Sequence, residues 1–187
     1  MRVLDRRRGM GSKAQVVDPY EGCITMEFTE TFENFPRTLT ANHNNVLTYL
    51  EKLIVDGIEQ PIQKSYKYTF GLGTHKIGWK LNTTVVYANI FTVTSDYNGG
   101  KFTADQALTT IPEQITEIKS TAMRGVPAYH PMRGVICYVK TPPIAEKLSI
   151  ANWYINPVNP LKVPANSVEA YKVATGWSQY ANNIIAI

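Results

Sequence analysis

The sequence has few of the features that mark disulfide-stabilised or membrane-spanning proteins. It contains two cysteines among 187 residues, too few for the disulfide framework of small secreted domains. No apolar run approaches the roughly 20 residues that a transmembrane helix needs. The basic N-terminus is not followed by the apolar segment of a secretory signal. We therefore expect no membrane span and no signal peptide.

Both cysteines, Cys23 and Cys137, lie in segments where apolar residues alternate with polar ones. A buried free thiol behaves there as a small hydrophobic side chain. We expect two unpaired, buried thiols, and a disulfide between them stays open as the alternative.

Catalytic and metal-binding motifs are also missing. The histidines His43, His75 and His130 lie far apart in the sequence, and none has the spacing of a metal-ligand pair. There is no nucleophile elbow, phosphate-binding loop or zinc-protease motif. The carboxylates Glu113 and Glu117 belong to a polar strand face rather than to an acid and base pair. We expect no catalytic residue, metal or cofactor, and a structural or surface role for His75.

Positive charge is concentrated at the N-terminus. The whole chain has a net charge of +4, and the segment from Met1 to Lys13 accounts for all of it. Such an arm can bind nucleic acid or an acidic protein surface, or it can be a solvated leader. Nucleic acid binding by the remaining, neutral part is not expected, because no reader motif is present. The predicted arm covers residues 1–21, and its assembly residues are Arg2, Arg6, Arg7, Arg8 and Lys13.

Alternating apolar residues predict β-strands in the first half of the chain. Cys23 to Glu30 has the two-residue period of a half-buried strand. Asp56-Gly57, between two apolar runs, predicts a tight hairpin. The segments SYKYTF and GTHKIGWKL alternate as well, and the glycines at 71 and 73 between them predict a second hairpin rather than a phosphate-binding loop. Together these strands predict an antiparallel β-sandwich over residues 22–82.

The C-terminal segment from Asn159 to Ile187 reads NPLKVPANSVEAYKVATGWSQYANNIIAI and is typical of a segment that closes a core. It predicts a short strand, a stop at Pro164, a short helix and a β-prone end. Asn166 would cap the helix and Glu169 would complete a capping box. Large aromatic residues follow on one face. The predicted structural cap consists of Asn166, Glu169, Tyr171, Trp177 and Tyr180.

The segment VPANSVEAYKVATGWSQYANNI resembles the C-terminal closing segment of BspA-type leucine-rich-repeat proteins of gut anaerobes and their phages. Thr109–Met123 resembles one repeat of that family, and Val135–Pro143 resembles the strand before the closing segment. The order VDG, YTF and GLGTHKI resembles the immunoglobulin-like modules that precede such repeats. After the basic arm (1–21), the resemblance implies a mainly β fold with an immunoglobulin-like β module (22–82) and a repeat-like β segment with a helical cap (83–187).

These observations together predict a non-enzymatic structural or attachment protein. The expected location is a phage virion, in the capsid or the tail. The expected partners are other copies of the chain and virion or cell-surface proteins, with glycans as a further option. The alternative is a bacterial cell-surface adhesin or a carbohydrate-binding module, located at the cell surface or outside the cell.

Overall fold

The computed structural model describes residues 17–30, 36–40, 48–63, 65–87, 92–95, 108–119, 134–145 and 155–187. This part of the chain is mainly β, with one short α-helix and two 3₁₀ helices near the C-terminus. The mainly β class predicted from the sequence is therefore confirmed. The five basic residues of the predicted assembly arm, His43 and His130 lie outside the described residues.

Eight strands form one mixed sheet. Their bounds are β1 Cys23–Glu30, β3 Leu50–Val55, β4 Ile58–Gln60, β6 Gly73–Leu81, β9 Leu108–Ile111, β11 Gly134–Cys137, β13 Leu161–Val163 and β14 Ile184–Ala186. They lie side by side in the order β14-β13-β11-β9-β1-β6-β3-β4. Two smaller sheets contain the other strands: β2 Pro36–Thr40, β5 Ser65–Thr69, β7 Val85–Val86, β8 Thr92–Ser95, β10 Glu117–Ile118 and β12 Ile144–Ala145.

Half of the large sheet is antiparallel. β1 pairs with β6 along its whole length, and β6 pairs with β3 on its other side. Strand β1 has the bounds predicted from its alternation, and Ile24, Met26 and Phe28 are buried as expected. Strands β3 and β4 form the predicted hairpin, with positive φ angles of 49° at Asp56 and 81° at Gly57. The local pattern was therefore sufficient to predict both features.

The second predicted hairpin is wrong. Strand β5 pairs with β2 in a separate antiparallel sheet of order β5-β2-β8, whereas β6 is flanked by β1 and β3. Both edges of β6 are thus occupied, and residues 70–72 carry the chain from one sheet to the other. Phe70 is fully buried and packs edge-on against Phe28 at 5.1 Å between ring centroids. The buried ring of Phe70 continues the apolar alternation of β5 up to the crossing. The pattern therefore contains no sign that the chain passes to another sheet, and it indicated a simple turn.

The other half of the large sheet is parallel. Strands β9, β11, β13 and β14 pair in register, and their starts at Leu108, Gly134, Leu161 and Ile184 follow one another at nearly regular intervals. A second parallel sheet, of order β12-β10-β7, alternates with them along the chain. The chain therefore winds repeatedly between two parallel sheets. Inward-facing side chains form buried columns at Thr109, Val135, Leu161 and Ile184, at Ile111, Cys137 and Val163, and at Val86, Ile118 and Ala145.

Strand pairing crosses the boundary predicted near Asn82. Strand β9 pairs antiparallel with β1 over residues 108–110, and β8 pairs with β2. One hydrophobic core contains residues of both halves, from Ile24 to Ile184. The chain halves therefore share both a sheet and a core.

The C-terminal residues contain a 3₁₀ helix (Ala165–Ser167), helix α1 (Val168–Val173) and a second 3₁₀ helix (Ser178–Asn183) before β14. The capping box predicted at Asn166 and Glu169 is not formed. Helix α1 begins after Ser167, and no side chain caps either helix start. The first turn is instead a 3₁₀ turn, in which the Ser167 amide donates to the Pro164 carbonyl, and Glu169 pairs with Lys172 at 2.7 Å.

Within the described residues, none of the helices has the length and hydrophobicity needed to cross a bilayer.

One buried polar group in the first column has no partner. Thr109 is 2% exposed, and among the described residues its hydroxyl is the buried side-chain polar group without a hydrogen bond. Its neighbours in register are Met26 and Val135. We predict that Thr109→Val raises the free energy of unfolding by about 1–2 kcal/mol, because it removes an unsatisfied buried hydroxyl without changing shape. Urea unfolding measures the change.

The matched control for this prediction is Thr110→Val on the opposite face of β9. The Thr110 hydroxyl is hydrogen-bonded to that of Thr25, so its loss orphans a buried group and should destabilise the protein. A Thr109→Val protein less stable than the native one would show that this hydroxyl is satisfied.

Candidate functional site

A polar cluster in the described part of the chain joins Asp56 to His75. The Asp56 carboxylate contacts Nδ1 of His75 at 2.7 Å and accepts the backbone N–H of Lys76 at 2.9 Å. Nε2 of His75 contacts the carbonyl oxygen of Gly71 at 2.7 Å. The ring also lies against Phe28 and Phe70, with centroids 5.8 and 4.9 Å away. The cluster thus ties the β3–β4 turn to the crossing between the two antiparallel sheets.

An Asp–His pair is half of a hydrolase triad, but this one is built differently. Nε2, the nitrogen that would take a proton from a nucleophile, faces a carbonyl oxygen instead. Both ring nitrogens lie 2.7 Å from an oxygen of the protein, the carboxylate of Asp56 on one side and the carbonyl of Gly71 on the other. The geometry is that of a clamp that holds the β3–β4 turn against the segment before β6.

Tyr20 completes the same cluster from the N-terminal side. Its hydroxyl donates to the carbonyl oxygen of Lys76 at 3.1 Å and accepts the N–H of Gly57 at 2.7 Å. The ring lies against Gly78, and the ammonium of Lys76 is 4.5 Å from the ring centroid. Burial raises the pKa of Tyr20, since the phenolate would lose hydration. Tyr20 falls in the segment predicted as arm, yet it anchors the start of the fold.

The two cysteines are free and buried, as expected. Cys137 lies 3.2 Å from the hydroxyl of Tyr171, which donates to the carbonyl oxygen of Val139 at 2.9 Å. Burial raises the pKa of both the Cys23 and the Cys137 thiol to about 11, and it also raises the pKa of Tyr171. These thiols are therefore protonated near neutral pH and are inert as nucleophiles.

We predict that neither thiol of the folded protein reacts with a disulfide reagent at pH 8, while both react in denaturant. Between pH 9.0, the ordinary pKa of a thiol, and about pH 11, the thiols of the folded protein keep their protons, whereas those of the unfolded chain ionise. Stability should therefore fall as the pH rises through this range, and less steeply in a Cys23→Ala/Cys137→Ala protein. Fast reaction of either thiol in the folded state would contradict the burial.

The other candidate groups do not come together. Glu113 is exposed, and Glu117 forms an ion pair with Lys119. Within the described ranges, no three His, Cys, Asp or Glu side chains lie close enough to hold a metal ion. Of the predicted cap residues, Tyr171 and Trp177 are fully buried and Tyr180 is 8% exposed.

The sheet presents a second candidate site, which the sequence pattern did not reveal. We call it the outward face: Ile136, Tyr138, Lys162, Ile185 and Ile187 on the solvent side of β11, β13 and β14. Register places Ile136, Lys162 and Ile185 side by side, so the row spans roughly 10 Å at the usual strand spacing. The amides of Tyr138 and Ile187 donate to the preceding strands at 2.9 Å, which places these residues one step further along. Tyr138, Ile185 and Ile187 are 46%, 44% and 56% exposed.

Comparison with protein-family models, with curated proteins and with solved structures found no match. The outward face was missed because its residues come from three strands that are widely separated in the sequence. The contact between Asp56 and His75 was not predicted, because the two residues meet only through the pairing of β3 with β6.

Proposed function

We propose that this protein is a non-enzymatic structural or attachment protein that acts by presenting a binding surface on a rigid β scaffold. The observation that carries the proposal is the outward face, where Ile185 on β14, Ile187 after β14 and Tyr138 after β11 are 44–56% exposed on either side of the strand that contains Lys162. Contiguous exposed apolar residues on a folded protein mark sites of contact with other molecules. The contacts of His75 are further support. Because both ring nitrogens already contact oxygens of the protein, the Asp56–His75 pair is not arranged for acid–base catalysis.

We also propose a finer architecture for the two halves. The antiparallel strands that surround β1, β6 and β2 form an immunoglobulin-like module, and the parallel strands from β9 onward form a leucine-rich-repeat-like segment closed by the cap. Support for the second assignment comes from the nearly regular intervals between the starts of β9, β11, β13 and β14. Repeat proteins stack structural units of about 20–45 residues in this way.

The proposed setting is a phage virion, as a capsid- or tail-associated component that contacts further copies of itself or other virion proteins. The basic arm would dock on an acidic surface of the same assembly. This setting rests on the resemblance of the closing segment and of the first module to phage and surface proteins. A cell-surface adhesin or glycan-binding module is the competing function.

The test is to locate the protein in its source. Quantitative mass spectrometry and immunogold labelling of purified phage particles should find a constant number of copies in each intact particle. Recovery from cell envelopes without particles would overturn the virion setting in favour of an adhesin. Recovery from neither fraction, together with turnover of a small substrate, would overturn the attachment function itself.

A further inference from the structure

Resting on the proposed attachment function, we propose that the outward face binds an acidic segment of another protein, with apolar or aromatic residues beside its carboxylates. Lys162 lies between Ile136 and Ile185 in the in-register row. Lys162 is exposed, and the described residues provide no ion pair or hydrogen bond for its ammonium.

The surrounding charge favours an anionic partner. Strands β9, β11, β13 and β14 contain no Asp or Glu. The first carboxylate across the sheet is Glu27 of β1, opposite Leu108. By contrast, Lys52 and Lys80 on the antiparallel half are paired with Glu59 and Glu51 at 3.3 and 3.0 Å. A cation left without a carboxylate, among apolar side chains, is complementary to an acidic group supplied from outside.

A second copy of the chain is a poor match for this face. Two such faces packed against each other would enclose a Lys162 from each copy without any carboxylate from the strands, and buried like charges are costly. A protein segment also matches better than an acidic glycan. Three of the four apolar residues are branched aliphatic ones, which pack against protein side chains, and only Tyr138 offers a flat ring for a sugar.

The N-terminal part of the fold lies on the same side of the sheet. Tyr20 lies against Gly78 and under Lys76. Thr25, which pairs with Gly78, is hydrogen-bonded to Thr110, and Thr110 pairs with Ile136 in register. Tyr20 and the outward face therefore lie on the same side of the large sheet.

The experiment measures binding of the full chain to a fluorescent random copolymer of glutamate and tyrosine, followed by polarisation. Native protein should bind it, with an affinity that falls as salt is added. Lys162→Glu and Ile185→Ser should each weaken binding at least tenfold. The matched controls are Lys172→Glu, with the same charge change on the cap, and Val158→Ser, at a residue that is 83% exposed elsewhere; both should bind as the native protein does. Thermal unfolding of every variant verifies the fold.

Several outcomes would overturn the inference. These are no binding of the copolymer, equal binding by the Lys162→Glu protein, or binding of polygalacturonate at least as tight as that of the copolymer, which would identify an acidic glycan as the partner. The proposed function has a separate test, which measures the fraction in which the protein is found and does not use this copolymer.

Discussion

Trp177→Ala should lower the free energy of unfolding by about 3–5 kcal/mol, a large share of the total for one domain. Trp177 is fully buried and packs edge-on against Tyr171, with ring centroids 5.1 Å apart. Its indole N–H donates to the carbonyl oxygen of Pro143 at 2.8 Å, directly before β12. Truncation would leave a large cavity and would leave the buried carbonyl group of Pro143 without this hydrogen bond. Chemical denaturation monitored by circular dichroism gives the difference.

Two further variants separate the contributions of packing and hydrogen bonding. Trp177→Phe keeps most of the ring and loses the bond to Pro143, so it should cost about 1–2 kcal/mol. Tyr138→Ala truncates an aromatic residue that is 46% exposed and should leave stability nearly unchanged. If Trp177→Ala unfolded at the same denaturant concentration as the native protein, the closing segment would not be part of the core.

Gly176→Ala should destabilise the protein by a similar amount, roughly 3–5 kcal/mol. Gly176 has a φ angle of 84°, which residues with a Cβ adopt at a cost. A Cβ placed there would lie 2.3 Å from the carbonyl oxygen of Ala145 and 3.0 Å from its carbon. These are backbone atoms of β12, so the contact cannot be relieved by rotating a side chain. The cap or the strand must move, and Trp177 with it. Thermal and urea unfolding measure the cost.

Gly57→Ala is the matched control for this variant. Gly57 has nearly the same φ angle, 81°, but no atom lies within 4 Å of a Cβ built there. It should therefore cost only the backbone strain, about 1 kcal/mol. The difference between the two variants measures the close approach of the cap to β12. Equal costs would show that the cap does not press against that strand.

Local patterns predicted strands and turns well where one short segment contains all the information. The alternation in β1 was enough to give its bounds, and the Asp56-Gly57 pair was enough to give the β3–β4 hairpin. The burial of Tyr171 and Trp177 followed from the large aromatic residues in and after the short helix-forming segment. The capping box failed because the residues after Pro164 form a 3₁₀ turn, so Asn166 does not occupy the N-cap position.

The candidate sites were beyond the reach of those patterns. His75 contacts Asp56, in the β3–β4 turn, and the carbonyl of Gly71, before β6. Nothing in the sequence between these residues indicates that they meet. The outward face likewise combines Tyr138, Lys162 and Ile185 only because three strands pair in a particular register.

The sequence by itself determined the mainly β class, the first strand, the β3–β4 hairpin, and an aromatic C-terminal segment that packs into the core. These features depend on side-chain period and turn chemistry, which act over a few residues. Only the tertiary structure decided that β5 leaves β6 for another sheet, and that β1 joins the antiparallel and parallel halves by pairing with both β6 and β9. The reason is that a strand has the same two-residue period whichever partner it pairs with. The choice of partner depends instead on which arrangement buries distant residues such as Phe70 and Trp177 together in one core.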